Sequence, residues 1–203
     1  MAKSSKGSTF ERQICKQLSL WWTNQKRDDV FWRTAGSGAR ATQRKKSGQT
    51  TFGQDGDVQA TDPIGQPLLD LCTIEIKRGY SSCTPFDIID KPQKKPAQQM
   101  WEKWIAQAQR ECGEAGSKYW MIISKRDRRE ITIAMPRVFF HRLFLEKSGW
   151  VPEGIFLSMN YKDATTKAKC HIGISIFSFN SFLELANPKT IKEIRDYHFD
   201  PNS

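Results

Sequence analysis

Cysteine and histidine are too sparse and too scattered in this chain to organise its chemistry. Five cysteines (Cys15, Cys72, Cys83, Cys112 and Cys170) fall at irregular spacing without a CxxC pair, and only three histidines occur. That pattern excludes a disulfide framework and argues against a structural zinc site, so reduced, mostly buried thiols are expected. No apolar run approaches the length of a membrane span, and the N-terminal Met1-Ala2-Lys3-Ser4-Ser5-Lys6 lacks the apolar stretch of a signal peptide. The expectation is a protein that stays where it is made, in the cytoplasm, with no membrane partner. Gly-rich nucleotide-binding motifs, internal repeats and low-complexity tracts are also missing.

Negative charge is the other shortage. Lys and Arg number 32 against 22 Asp and Glu, for a net charge of +10. The excess is concentrated: residues 1–48 hold eleven Lys or Arg and three acids, so they carry +8 of it. Such asymmetry points to a polyanionic partner, nucleic acid before an anionic membrane, with a solvated surface as the plain alternative. The 203 residues, 38% of them hydrophobic, suit one domain or one domain with an added subdomain, with enough apolar material for a core.

Periodicity outlines the elements. Residues 1–7 read as a disordered basic tail. Phe10, Ile14, Leu18 and Trp21 form the stripe of a helix from about Thr9 to Thr23, with Ser8 and Glu11 as a capping box. Val30 to Arg33 reads as a short strand ended by Gly36-Ser37-Gly38, and residues 39–54 as a basic loop. Asp57 opens a second strand, and Leu68 to Lys77 reads as a third, making 57–77 a hairpin. A second helix is expected over Ala97 to Cys112 with Trp101, Trp104, Ile105 and Ala108 on one face, after a proline-bearing loop at 85–96. Strands at Tyr119–Ser124 and Glu130–Met135, a helix at Val138–Leu145, a strand at His171–Phe179 and one or two short helices complete the chain. The order gives an α/β core with a mixed sheet.

The chemical signal is Glu75-Ile76-Lys77. Alternation along a strand sends Glu75 and Lys77 to one face, with Asp57 on the preceding strand. A strand this apolar is expected to be central, with the two charges at the mouth of the sheet. Mg²⁺ prefers oxygen donors, and the carboxylates of Asp57 and Glu75 with the carbonyl of Ile76 supply them. Such an ion polarises a phosphoryl oxygen and acidifies water, while Lys77 offsets charge building on the phosphate. The bland reading is a surface hairpin with a Glu–Lys pair.

These residues also carry a likeness. Residues 8–135 resemble the PD-(D/E)XK nuclease superfamily, and within it archaeal-type Holliday junction resolvases and related phage endonucleases. The matching pieces are Phe10-Glu11-Arg12, Arg33 with Gly36-Ser37-Gly38, Gly56-Asp57-Val58 and Glu75-Ile76-Lys77. The resemblance implies a restriction-endonuclease-like core over 8–136, with a mixed central sheet flanked by helices; the pattern of the chain itself reads residues 137–203 as an α+β extension packed on that core. The resemblance also implies that Glu11, Asp57 and Glu75 bind metal, that Lys77 is catalytic and that Ser37 touches DNA. Mg²⁺ is the expected cofactor, with Mn²⁺ as substitute, and the location for a phage-encoded chain is the host cytoplasm. Departures are Gly56 where the motif has Pro, the long loop 39–54 and the extension itself.

Several positions stay open. Glu11 is either a cap or a metal-side carboxylate. Asp55 rivals Asp57 but precedes Gly56, before the strand starts. Gln107 and Gln109 are read as solvated rather than facing the site. Arg33, Arg40, Arg44, Lys45 and Lys46 are candidates for DNA backbone contact, and Arg126, Arg128 and Arg129 are either a second contact or only a turn. Trp21, Trp22, Trp32, Trp101 and Trp104 are read as core rather than stacking platforms. Val138, Phe139, Phe140, Leu143, Phe144 and Leu145 serve a larger core or a dimer surface, with core favoured. The function expected is a metal-dependent DNA endonuclease, with branched DNA and a two-fold homodimer implied by the resemblance. The alternatives are a linear-duplex or restriction-type nuclease and a non-catalytic nucleic-acid-binding module.

Overall fold

The computed structural model describes residues 6–34, 56–90, 99–145 and 151–199. Helix α1 spans Lys6–Trp22 and buries Phe10, Ile14, Cys15, Leu18, Trp21 and Trp22, the stripe its periodicity predicts. It starts ahead of Thr9, so Ser8 lies within the first turn and is not the cap. Its end is fixed by Asn24 and Gln25, both at positive φ, whose N–H groups donate to Trp21 and Leu20 carbonyls. Buried Ser19 donates to the Cys15 carbonyl and accepts from the Phe31 N–H, both at 2.8 Å, tying helix to strand.

Strand β1 (Phe31–Arg33) pairs antiparallel with β2 (Val58–Ala60) in a two-stranded ribbon. Asp62 then caps a short 3-10 turn at Pro63–Gly65, and helix α2 runs Gln66–Leu71 before strand β3, Cys72–Arg78. This corrects the expected 57–77 hairpin. Pro67 sits in the first turn of α2, and Leu68 and Leu71, three apart, are both buried. A stretch with six apolar residues in ten, Leu68 to Lys77, cannot show by itself where helical spacing gives way to strand alternation.

A four-residue helix, α3 (Asp87–Asp90), interrupts the expected loop. Helix α4 (Met100–Ala115) follows, ended by Gly116 at φ 70°. Strands β4 (Tyr119–Lys125) and β5 (Ile131–Pro136) flank the polar turn. Helix α5 (Arg137–Phe140) passes into a wider turn at His141–Leu145. Strands β6 (Gly154–Lys162) and β7 (Lys169–Ser178) and helices α6 (Phe179–Leu185) and α7 (Pro188–Phe199) close the described chain. Strand β6 was not expected, although Leu157, Met159 and Tyr161 alternate with polar residues along it and are buried.

The main sheet has the order β3-β4-β5-β7-β6. β3 and β4 are parallel, joined by the α4 crossover, and the remaining pairs are antiparallel. It is thus a mixed sheet flanked by helices, consistent with a restriction-endonuclease-like core. One face packs against α4 through Trp101, Trp104, Ile105 and Ala108. The other meets α1, α2, α5, α6 and α7 in a larger core that includes Ile74, Phe139, Phe144 and Phe179. Of the six apolar residues at 138–145, Phe139, Phe140, Leu143 and Phe144 are core, while Val138 and Leu145 are exposed.

Strand β3 is an edge strand of this sheet, not a central one as its composition suggested. Its burial comes from helices on both faces and from the chain at Asp57, which lies along its outer edge. The Asp57 N–H donates to the Ile74 carbonyl at 2.8 Å, and the Asp57 carbonyl accepts from Thr34 N–H at 3.0 Å. One residue therefore links the ribbon to the sheet.

Candidate active site

The site grows from the end of β3. Thr73, Glu75 and Lys77 face α4, and Cys72, Ile74 and Ile76 face α1. Glu75 is only 1% exposed. Its Oε2 accepts from Lys77 Nζ at 2.5 Å and from Gln107 Nε2 at 2.9 Å. The Gln107 Oε1 accepts from Lys77 Nζ at 3.2 Å, and its Nε2 also reaches Glu111 Oε1 at 3.0 Å. Gln107 thus lies in the site, which corrects its reading as solvated, whereas Gln109 turns to the Tyr161 hydroxyl. Glu111 was missed altogether. The available signal was the i, i+4 pair Gln107–Glu111, flanking the apolar face that includes Trp104 and Ala108.

Asp57 approaches from the other side of the strand edge. Its Oδ2 accepts the Ile76 N–H at 2.8 Å. Within a strand the N–H and C=O of one residue point the same way, so the Ile76 carbonyl also faces this edge. Gly56 makes the approach possible. It has φ +77°, and a Cβ there would lie 2.8 Å from the Ile74 carbonyl oxygen. On α1, Glu11 pairs with Arg33 Nε at 3.4 Å.

Electrostatics join these groups. Burial raises the Glu75 carboxyl well above the usual range, helped by its contact with Glu111 and the charge of Asp57; Lys77 opposes. Burial also raises Glu11, followed by Asp57. Cys15, one turn along α1, is pushed up to about 12 by burial first and then by Glu11 and Asp57. Burial acts to lower Lys77, but Glu75, Asp57 and Glu111 outweigh it and hold the ammonium charged. For Glu111, burial is outweighed by hydrogen bonds from Glu75 and Gln107 and by Arg110, so its carboxyl is lowered. Glu11, Asp57 and Glu75 therefore share one negative field, with Lys77 between the acids.

The donor set fits a hard divalent cation of modest protein coordination. Among the described residues no group of three or more His, Cys, Asp or Glu side chains is gathered to hold an ion by itself. Two carboxylates and a strand-edge carbonyl are nonetheless the kind of set Mg²⁺ uses while keeping several waters, and the crowded negative field is what such an ion relieves.

The remaining expected residues divide. Arg33 is in the site, on Glu11. Ser37, Arg40, Arg44, Lys45 and Lys46, with the rival Asp55, lie outside the described residues. Trp21, Trp22, Trp101 and Trp104 are buried, but Trp32 is 47% exposed, against the expectation of a core position. None of the five cysteines is in a disulfide, and Cys15, Cys72 and Cys112 are buried.

A model of the family described as phage putative PDDEXK endonuclease matches residues 2–193. The chain belongs to this family. No curated protein and no solved structure matches it. Membership in the PDDEXK endonucleases carries nuclease activity on DNA as the coarse function, and divalent metals as the kind of cofactor such enzymes use. Among the described residues no helix is long and apolar enough to cross a membrane.

Proposed function

We propose that this PDDEXK endonuclease hydrolyses DNA phosphodiester bonds with Asp57, Glu75 and Lys77 as its catalytic set and Mg²⁺ as its cofactor. One observation carries the reading: a buried Glu75–Lys77 pair and the Asp57 carboxylate meet at the exposed end of one edge strand. Asp57, Glu75 and the Ile76 carbonyl would hold the ion, with Glu11 on the same side. A bound divalent cation supplies Lewis-acid polarisation of the phosphate and a more acidic water. Lys77 donates a hydrogen bond to the phosphoryl oxygens and offsets their growing charge. Gln107, bonded to both Lys77 and Glu75, fixes the ammonium in position.

Branched DNA is the proposed substrate class and a two-fold homodimer the working form. The support is the resemblance to junction resolvases at Glu11, Asp57 and Glu75-Ile76-Lys77. The exposed apolar side chains of Val138, Leu145 and Phe156 in the extension add to it. A non-catalytic binding module is disfavoured by the intact Asp57, Glu75 and Lys77 set.

The test is a cleavage panel of four-way junction, linear duplex and single strand with Mg²⁺, Mn²⁺ or Ca²⁺. Mg²⁺ and Mn²⁺ should support cutting, and Ca²⁺ should bind without turnover. Glu75→Ala should abolish cutting while retaining DNA binding; full activity in that variant would remove the assignment. Sedimentation of the same samples reads the oligomeric state. A monomer that cuts linear duplex as readily as the junction would reject the branched-substrate proposal alone.

A further inference from the structure

On the α4 face of the sheet lies a cavity of about 650 Å³ that shares Lys77 with the hydrolytic set and extends away from Asp57 and Glu75, which do not line it. That volume falls within the roughly 300–1,000 Å³ of small-molecule sites. Its floor is a polar row set by strand register. Lys77 stands opposite Ser124, Ser124 opposite Thr132, and Thr132 opposite Ser178, across four strands. The Ser124 and Thr132 hydroxyls are 2.9 Å apart. Polar residues here replace the apolar rows one step further in, where Ile122, Ala134 and Ile176 pack against α4.

The wall is aromatic. Trp104 meets Tyr80 edge-on at 5.0 Å and Trp101 at 5.1 Å. Tyr80 and Phe86, both on the lining, are 40% and 54% exposed. Trp101 is 2% exposed, yet its indole N–H has no hydrogen-bond partner among the described residues. The rim carries Lys125, Arg126 and Arg129 against the single acid Glu130. Arg78 secures the turn beneath them, through the Lys125 carbonyl and Asp127.

Aromatic faces, a row of hydroxyls and a cationic rim together match a nucleotide. The faces stack a base, the hydroxyls bond its polar edge, and the rim holds its phosphates. We propose that this cavity receives one unpaired nucleotide of the DNA substrate, next to the phosphate being cut. The inference rests on the nuclease reading, and it gives that reading a substrate feature. Branch points and bulges offer an unstacked nucleotide at no pairing cost, whereas a continuous duplex must break a pair to fill the site.

The test compares a short duplex containing one unpaired nucleotide with its fully paired counterpart. Binding is measured on the full chain in Ca²⁺, and cleavage in Mg²⁺. Wild type should bind the unpaired substrate about tenfold more tightly, the effect of stacking one base. Tyr80→Ala with Phe86→Ala should erase that preference and leave affinity for paired duplex unchanged. Tyr80→Leu keeps the apolar bulk and serves if the double variant melts early; it should weaken the preference in the same direction. Arg126→Ala with Arg129→Ala should weaken binding of both DNAs and reduce its salt dependence. Equal binding of the two DNAs by wild type, or a preference that survives loss of Tyr80 and Phe86, would overturn the proposal while leaving a nuclease that cuts both. Absence of cleavage on every DNA, with the binding preference present, would overturn the nuclease reading instead.

Discussion

Glu75, a proposed metal ligand, illustrates how such a residue departs from what stability favours. A carboxyl that is 1% exposed, with Glu111 and Asp57 beside it, holds its proton more tightly folded than unfolded. Its contribution to stability is therefore fully present below the unfolded carboxyl pKa and is lost as pH rises through the raised folded value. Glu11 acts in the same direction. Glu111 has the opposite sign: its lowered pKa supports folding above the ordinary carboxyl range and is lost in acid below it. The two effects fall in different pH windows. In chelator-treated protein, Glu75→Gln should therefore gain stability relative to wild type as pH climbs above the ordinary carboxyl range. Thermal melting over that rise in pH checks it, and a difference that stays constant with pH would contradict the electrostatic account. The same variant should be inactive, so stability and activity part at one atom.

Elements decide how much of this was legible. Glu75 and Lys77 could be read because they are two apart on one strand, and strand alternation is a local rule. Asp57 could be read because Val58, Gln59 and Ala60 continue as strand after it. Gln107 and Glu111 could not, because their facing depends on how α4 docks after the crossover, which no local pattern sets. The edge position of β3 was hidden for a similar reason. Apolar composition reports burial, and here burial comes from helices on both faces, not from two neighbouring strands. Gly56 ties the two scales together, since its positive φ lets Asp57 clasp that edge. Gly56→Ala should cost about 1–3 kcal/mol through backbone strain and a further clash with the Ile74 carbonyl. Gly116→Ala is the control: its φ is also positive, its surroundings are open and it lies at the far end of α4. Both should lower the melting temperature, but only Gly56→Ala should also reduce cleavage, by about tenfold or more, because it displaces a carboxylate in the site. Equal retention of activity in the two variants would mean that the clasp at Asp57 is structural only.

At the scale of the whole molecule, charge has to bring a polyanion to a small acidic centre that would repel it. The sequence concentrates +8 in residues 1–48, and the segment carrying Arg40, Arg44, Lys45 and Lys46 leaves β1 and returns to β2 within one hydrogen bond. Thr34 N–H, at its start, donates to the Asp57 carbonyl at its end. Both roots of the segment are therefore beside the proposed metal ligands. If Arg44, Lys45 and Lys46 contact backbone phosphates, changing all three to Ala should weaken binding of every DNA sequence alike. The slope of log affinity against log salt should flatten by about 0.9 for each duplex phosphate that is no longer neutralised. Fluorescence anisotropy in Ca²⁺ over a salt series measures both quantities. Cleavage at saturating DNA should be nearly unchanged, because the proposed catalytic residues Glu75 and Lys77 are untouched. A salt slope equal to that of wild type would make the segment a solvated surface. The task of attracting DNA would then fall to the arginines at the rim of the cavity beyond Lys77.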